Sequence, residues 1–274
     1  MRPHETLLVV YFAYVAAIGF WLPVASDIRV WTLAGNAALV GFLAWLSRFG
    51  NLWVRDWIAL PLMLLGYKEM GWFATPHADT RLEEAWIVWD RALLNEWHGR
   101  AIIESLGPVF PSILELAYPL VYTIGVFCLT TIYLRGDRRR AGSFLFCLLL
   151  GTYLSYALFP FFPSEPPRTV FPGADMPSYQ LIFRRFNHWL LGNWGIHTSV
   201  FPSAHVSSAF AGAFGMYQLY GRDRMTGGVF VLASLIAVST VYGRYHYLVD
   251  AVAGIGLAVV AWQLSRIAGR RGYL

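Results

Sequence analysis

Residues 239–250 read STVYGRYHYLVD, Ser239 to Asp250, and the rest of the chain is organised around them. A run of about twenty mostly apolar residues leads into this stretch and about seventeen lead out, each near the length that crosses a bilayer. Between the two runs stand Arg244, His246 and Asp250. Ionisable side chains beside hydrocarbon are costly, and where they occur they usually mark function. If a helix begins at Leu248, His246 and Asp250 fall one turn apart on one face. The carboxylate can then accept one ring N–H of the imidazole and leave the other nitrogen free. A structural cap and ion pair at a helix mouth fits the same residues.

Composition sets the class. Of 274 residues, 57% are hydrophobic and 14% charged, whereas a soluble domain carries about 25% charged residues. The chain lacks the charge to cover a surface that faces water everywhere. The expected fold is all-α: one polytopic transmembrane helical bundle over residues 1–274. The net charge of +5 does not point to nucleic acid, because the basic residues lie in short loops between apolar runs. Cys128 and Cys147 fall inside apolar runs and speak for neither a disulfide framework nor a thiolate metal site. The N-terminal run 7–24 imitates a signal peptide but is long and has no A-x-A site after it, so an uncleaved first span is expected.

Eight apolar segments approach the hydrocarbon thickness of about 30 Å: 7–24, 30–46, 57–73, 113–134, 143–161, 201–220, 227–241 and 248–267. The third is the weakest, interrupted by Pro61 and ending near Lys68 and Glu69; a tilted span with snorkelling charges and a re-entrant segment both fit. Loops rich in arginine are retained in the cytoplasm. They are 48–55, RGDRRR at 135–140, Arg222 with Arg224, and the tail with Arg266, Arg270 and Arg271. Eight alternating spans put all of them on one face with both termini, and leave 74–112, 162–200 and 242–247 on the extracytoplasmic face of the cell membrane. In 81–98 the apolar residues Leu82, Trp86, Trp89, Leu93 and Trp97 recur at helical spacing, which predicts an amphipathic helix in the interface. A second is expected over 179–191, with Arg184 and Arg185. A lid packed on neighbouring spans is the alternative for both.

Three pieces converge on that outer face: FPSEPPR at 162–168, FPSAH at 201–205 and YGRYHYLVD at 242–250. Ser203 can cap a helix whose first turn carries His205. The free N–H groups and positive dipole end there favour an anion, phosphate in particular. Arg168 and Arg244 add planar donors suited to phosphate oxygens.

FPSAH followed about forty residues later by HYLVD resembles the second and third motifs of the type-2 phosphatidic acid phosphatase superfamily. The HYxxD form is similar to the branch that contains inositol phosphorylceramide and sphingomyelin synthases, and RDW at 55–57 with Pro61 and Tyr67 resembles bacterial members of that branch. The resemblance implies a six-helix phosphatase-type core, with the catalytic motifs in 162–250. It implies that His246 attacks phosphorus to give a phosphohistidine while Asp250 orients the ring. His205 would protonate the leaving oxygen and then activate the acceptor. Arg168 and Arg244 would hold the phosphoryl oxygens, with Ser203 at the same anion site. Its implied partners are a lipid-phosphate substrate in the bilayer and, for a transferase, an alcohol headgroup acceptor. No cofactor is implied.

The chain departs from the family pattern in three places. The family's Ser-Arg before the nucleophile is Ser239-Thr240 here, so Arg244 is the substitute. Ala204 stands where glycine is commoner, and the lysine of the first motif has no counterpart except Arg168. His188 and His197 share the outer loop and fit surface or packing roles best. Glu115 and Tyr118, with Lys68 and Glu69, can line a pocket or pair between spans, and Tyr245 and Tyr247 are expected to anchor the interface. Two rival readings stay open. His205, His246 and Asp250 can bind zinc, although no HExxH occurs, and a polar chamber also suits a transporter or lipid-binding protein that catalyses nothing.

Overall fold

The computed structural model describes residues 1–73, 79–173, 175–196, 198 and 200–270, and these contain helices and turns but no strand. The chain opens with α1 (Pro3–Trp21), α2 (Ser26–Phe49), the short α3 (Leu52–Trp57) and α4 (Ala59–Met70). Next come α5 (Arg81–Arg91), which runs into a π-helical turn at Ala92–Glu96, then α6 (Gly99–Ser105), α7 (Val109–Ala117) and α8 (Val121–Leu134). The last third holds α9 (Ala141–Leu158), α10 (Pro167–Val170), α11 (Ile182–Trp194), α12 (Ala204–Tyr220), α13 (Arg224–Tyr242) and α14 (Leu248–Arg270).

α12 is the centre of the bundle, packed against α8, α9, α13 and α14. Its sequence, AHVSSAFAGAFG, has small residues on almost every face, which lets neighbouring backbones approach closely. At Gly254 of α14 an added Cβ would stand 2.7 Å from the Ser203 carbonyl oxygen, so only glycine permits that crossing. The Ser155 and Ser207 hydroxyls meet across α9 and α12 at 2.7 Å, each supplying the other's partner in an apolar setting.

Five helical units have the length and apolar character of a span: α1, α2, α9 with its flanking turns (Arg138–Phe161), α13 and α14. α7 and α8 form a sixth, bent by 67°. Pro119 lies in the break, where it offers no N–H to continue the ladder. The other two segments expected to span are shorter. α12 has 17 residues, or about 26 Å at 1.5 Å per residue. It starts late because the backbone N–H of Ser203 is engaged by the Asp250 carbonyl at 3.0 Å, and it stops at Gly221, whose φ is 64°. The 57–73 segment is broken at Ile58, between α3 and α4.

Ion pairs fasten both ends of the bundle. At one end Arg55 binds Glu5 at 2.6 Å, Arg2 binds Asp56 at 2.7 Å, and Arg135 binds Asp223 at 2.6 Å. These pairs gather the start of α1, α3, the end of α8 and the start of α13, so loops read from the sequence as sharing a face do share an end. The opposite end carries α5, α6, α10 and α11. There α5 turns Glu83, Ile87 and Asp90 inward and leaves Trp89 66% exposed, with Trp97 beyond it at 70%. Of the stripe read as amphipathic, Leu82, Trp89 and Trp97 face outward, whereas Trp86 packs on Phe201 and Tyr247 and Leu93 is half-buried; an acidic stripe faces the protein. The second expected amphipathic helix is α11, beginning three residues later than 179.

Candidate active site

The site forms where α12 begins and where the α13–α14 turn crosses it. Ser203 caps α12, its Oγ accepting the Val206 N–H at 3.3 Å. His205 follows in the first turn. Its ring stacks on Tyr118 with centroids 4.7 Å apart, and its Nε2 lies 3.4 Å from the Tyr122 hydroxyl. The bend at Pro119 delivers Tyr118 to this position. Across the chamber is His246, with ring centroids 5.6 Å from those of His205.

The His246 ring is fixed through one nitrogen. Nδ1 lies 3.0 Å from the Val200 carbonyl oxygen and 3.4 Å from Oδ2 of Asp250. The same Oδ2 accepts the Tyr247 N–H at 2.8 Å, which holds the carboxylate against the turn. With Nδ1–H donated to the Val200 carbonyl and the Asp250 carboxylate alongside, Nε2 keeps its lone pair. Burial pushes the His246 pKa well below the ordinary 6.5, and the neighbouring His205 ring and Arg168 guanidinium push it the same way. The ring is neutral at physiological pH.

His205, His246 and Arg168 line one small chamber of about 30 Å³, with Tyr67, Tyr118 and Tyr245 among its other walls. Arg168 stands over the Tyr245 ring at 5.6 Å and is held by its own backbone, whose N–H donates to the Arg244 carbonyl at 3.1 Å. On one side the chamber adjoins a polar cavity with Glu165, Thr169 and His188, sharing Arg168, Leu191 and Ile196 with it. On the other it adjoins an apolar cleft with Met63, Leu64, Val121 and Tyr122, sharing Tyr67, Ala204 and His205.

Of the six residues singled out, His246, His205 and Arg168 line the chamber; Asp250 stands against the His246 ring and Ser203 caps α12, and neither of these two is on the chamber wall. Arg244 is turned away. Its side chain is 1% exposed and ion-paired with Asp90 of α5, and it is not among the residues lining the chamber. Asp90 also accepts the Leu248 N–H at 2.7 Å, so a single carboxylate clasps both flanks of His246. Arg244 has a φ of 65°, a conformation that costs a non-glycine residue roughly 1–2 kcal/mol; the Asp90 pair offsets it.

Tyr245 and Tyr247 are not interface anchors. Both are buried, Tyr245 packed at a tilt on Tyr118 at 4.1 Å and Tyr247 packed on Trp86 at 5.7 Å. The Tyr245 hydroxyl donates to Glu115 at 2.6 Å, and Arg184 and Asn187 of α11 donate to the same carboxylate at 2.8 and 2.9 Å. Glu115 is thus a tether between α7, α11 and the α13–α14 turn. Lys68 donates to the Trp194 carbonyl and Glu69 is buried beneath it; neither lines the chamber. His188 borders the polar cavity, and His197 lies outside the described residues. Among the described residues no three His, Cys, Asp or Glu side chains are placed to share a metal ion.

Fold and site together describe an integral-membrane helical enzyme scaffold with paired imidazoles and an arginine around a small polar chamber. The chain belongs to the PAP2 superfamily, whose family model matches residues 84–264, well over half of its length. This is a superfamily of phosphatase-type enzymes, and membership supports a lipid phosphatase or phosphotransferase. The match begins within α5, so the helix carrying Asp90 belongs to the shared part. No curated protein and no solved structure matches the chain.

Proposed function

We propose that the protein transfers the phosphoryl-containing headgroup of a membrane lipid through a covalent intermediate on His246. The observation that carries this reading is the hold of the Val200 carbonyl on Nδ1, with the Asp250 carboxylate alongside and Nε2 left for the chamber shared with Arg168 and His205. The Nε2 lone pair forms the P–N bond as the P–O bond to the leaving group breaks, and His205 gives that oxygen its proton. In the second half, His205 takes the proton of an incoming hydroxyl, whose oxygen bonds phosphorus as P–N breaks. Negative charge brought by the substrate favours the protonated form of His205 that the first step needs. Asp250 stabilises the charge that grows on His246, and Arg168 stabilises that on the equatorial oxygens. Ser203 contributes through the helix N-terminus that it caps.

Two surroundings of the chamber fit the two halves of a lipid. The apolar cleft beside His205 suits the hydrocarbon side, and the polar cavity over Arg168 suits an acceptor. With an alcohol as acceptor the enzyme is a transferase of the inositolphosphotransferase kind; with water it is a phosphatase, for example on phosphatidic or isoprenyl phosphate. The polar cavity is open enough for water, which keeps hydrolysis as the second reading. The extracytoplasmic face of the cell membrane is the side we assign to this end of the bundle. Lipids labelled in the phosphate separate the readings: label trapped on the protein and lost in His246→Ala supports the intermediate, and its fate as free phosphate or a new lipid identifies the acceptor. Turnover that persists in His246→Ala would leave the protein a lipid binder or transporter with another mechanism.

A further inference from the structure

On the far side of the α13–α14 turn from the chamber lies a second, larger cavity of about 320 Å³ that the phosphoryl chemistry does not use. Leu94 of the π-helical turn and Ile103 of α6 roof it, and Ala237 of α13 with Val252 and Ile255 of α14 form its floor. The one polar side chain among its lining residues is Tyr242, whose hydroxyl donates to Glu104 at 3.2 Å. Water needs two to four polar partners to occupy a cavity, and these walls offer none to spare. A void of this size left empty would forfeit the dispersion contacts of all its lining atoms. The floor helices are both spans, and their flanking Val238 and Val252 are 44% and 60% exposed, so the cavity is continuous with the surface that faces hydrocarbon.

We infer that this groove holds one hydrocarbon chain of a bilayer lipid. The chain enters between α13 and α14 and ends beneath the π-helical turn. That turn follows Asp90 by two residues, so the bound chain lies directly under the clasp on Arg244 and Leu248. A π-helical insertion is rare and tends to accompany a functional site; here it drops Leu94 into the groove, leaving the residue 7% exposed.

The test uses the full-length protein in vesicles of phosphatidylcholine carrying a mid-chain diazirine, with irradiation and peptide mass spectrometry. Leu94 and Ile103 should be labelled, although both belong to the roof rather than to the open face of a span. Ala237→Trp, which fills the floor, should lower roof labelling at least about tenfold, equivalent to about 1.4 kcal/mol of binding. Val260→Trp, on the open face of α14 outside the groove, should leave it unchanged, and labelling near Val260 in Ala237→Trp reports that this variant is still inserted. Label confined to the open faces of α13 and α14, roof labelling indifferent to Ala237→Trp, or roof peptides crosslinked to a second copy of the chain would each overturn the inference. Nothing turns over in this assay, so its failure is distinct from failure of the His246 mechanism.

Discussion

Replacing Asp90 by Asn tests whether the α13–α14 turn is held by a buried charge rather than by its own hydrogen bonds. Asp90 and Arg244 are 0% and 1% exposed, and the side-chain amide of Asn can still accept the Leu248 N–H. What is lost is the counter-charge of a buried guanidinium, and breaking one side of such a pair costs about 3–5 kcal/mol. Two further guanidinium nitrogens, Nε and Nη2, are buried without a hydrogen-bond partner, so no second hydrogen bond holds the charge, and Asp175 acts on it only through space. Arg244→Met removes the stranded charge. The double variant should therefore be more stable than the sum of the single losses by about 2–3 kcal/mol, at the upper end of measured coupling energies. The assay is reversible unfolding of all four proteins in one detergent, with turnover of a labelled lipid measured beside it. An Asp90→Asn protein within about 1 kcal/mol of the unsubstituted one, or four values that simply add, would refute the clasp.

Further outcomes follow from the same geometry. His246→Ala should abolish turnover, and Asp250→Asn should lower kcat by about a hundredfold or more while leaving lipid binding near normal, as equilibrium binding to vesicles would reveal. Tyr245→Phe removes one of the donors to Glu115 but keeps the ring under Arg168, so it should cost about 1–3 kcal/mol of stability with kcat little changed; Tyr245→Leu, which also removes the ring, should raise KM for the phosphorylated substrate. Because burial and two basic neighbours hold His246 below 6.5, its neutral form persists as pH falls through that value. With a phosphodiester substrate, whose charge does not change there, kcat/KM should show no loss on the acid side until below pH 6.5; a fall on lowering the pH centred at 6.5 or above would contradict it. Ser203→Ala removes the cap of α12 and should cost about 1 kcal/mol, read from the unfolding midpoint.

How much of this was legible in the sequence depends on the range of the interaction. The helical bundle, the cap at Ser203 and the pairing of His246 with Asp250 rest on local spacing, and spacing is what a sequence displays. The convergence of 162–168, 201–205 and 242–250 was readable because alternating spans return all three to one end. Arg244 was read as a phosphate ligand because arginine near an anion site usually is one, and nothing local reveals that Asp90, 154 residues earlier, is its partner. The period of 81–98 identified α5, but hydropathy could not reveal that Glu83 and Asp90 occupy its inward face. Tyr245 and Tyr247 followed the habit of tyrosines at membrane edges, whereas the turn folds them inward onto Tyr118 and Trp86.

Tyr67, Met63 and Leu64 all come from α4, which precedes the family-matched residues 84–264, yet they wall the chamber and its apolar cleft. Part of the surface proposed to meet the oily side of a substrate is thus written outside the portion that carries the proposed reacting groups. A relative could keep every motif of the later portion and change its diet by altering one helix of the earlier one. Grafting a foreign 59–70 onto this chain should retune which lipids are consumed without touching a reacting atom.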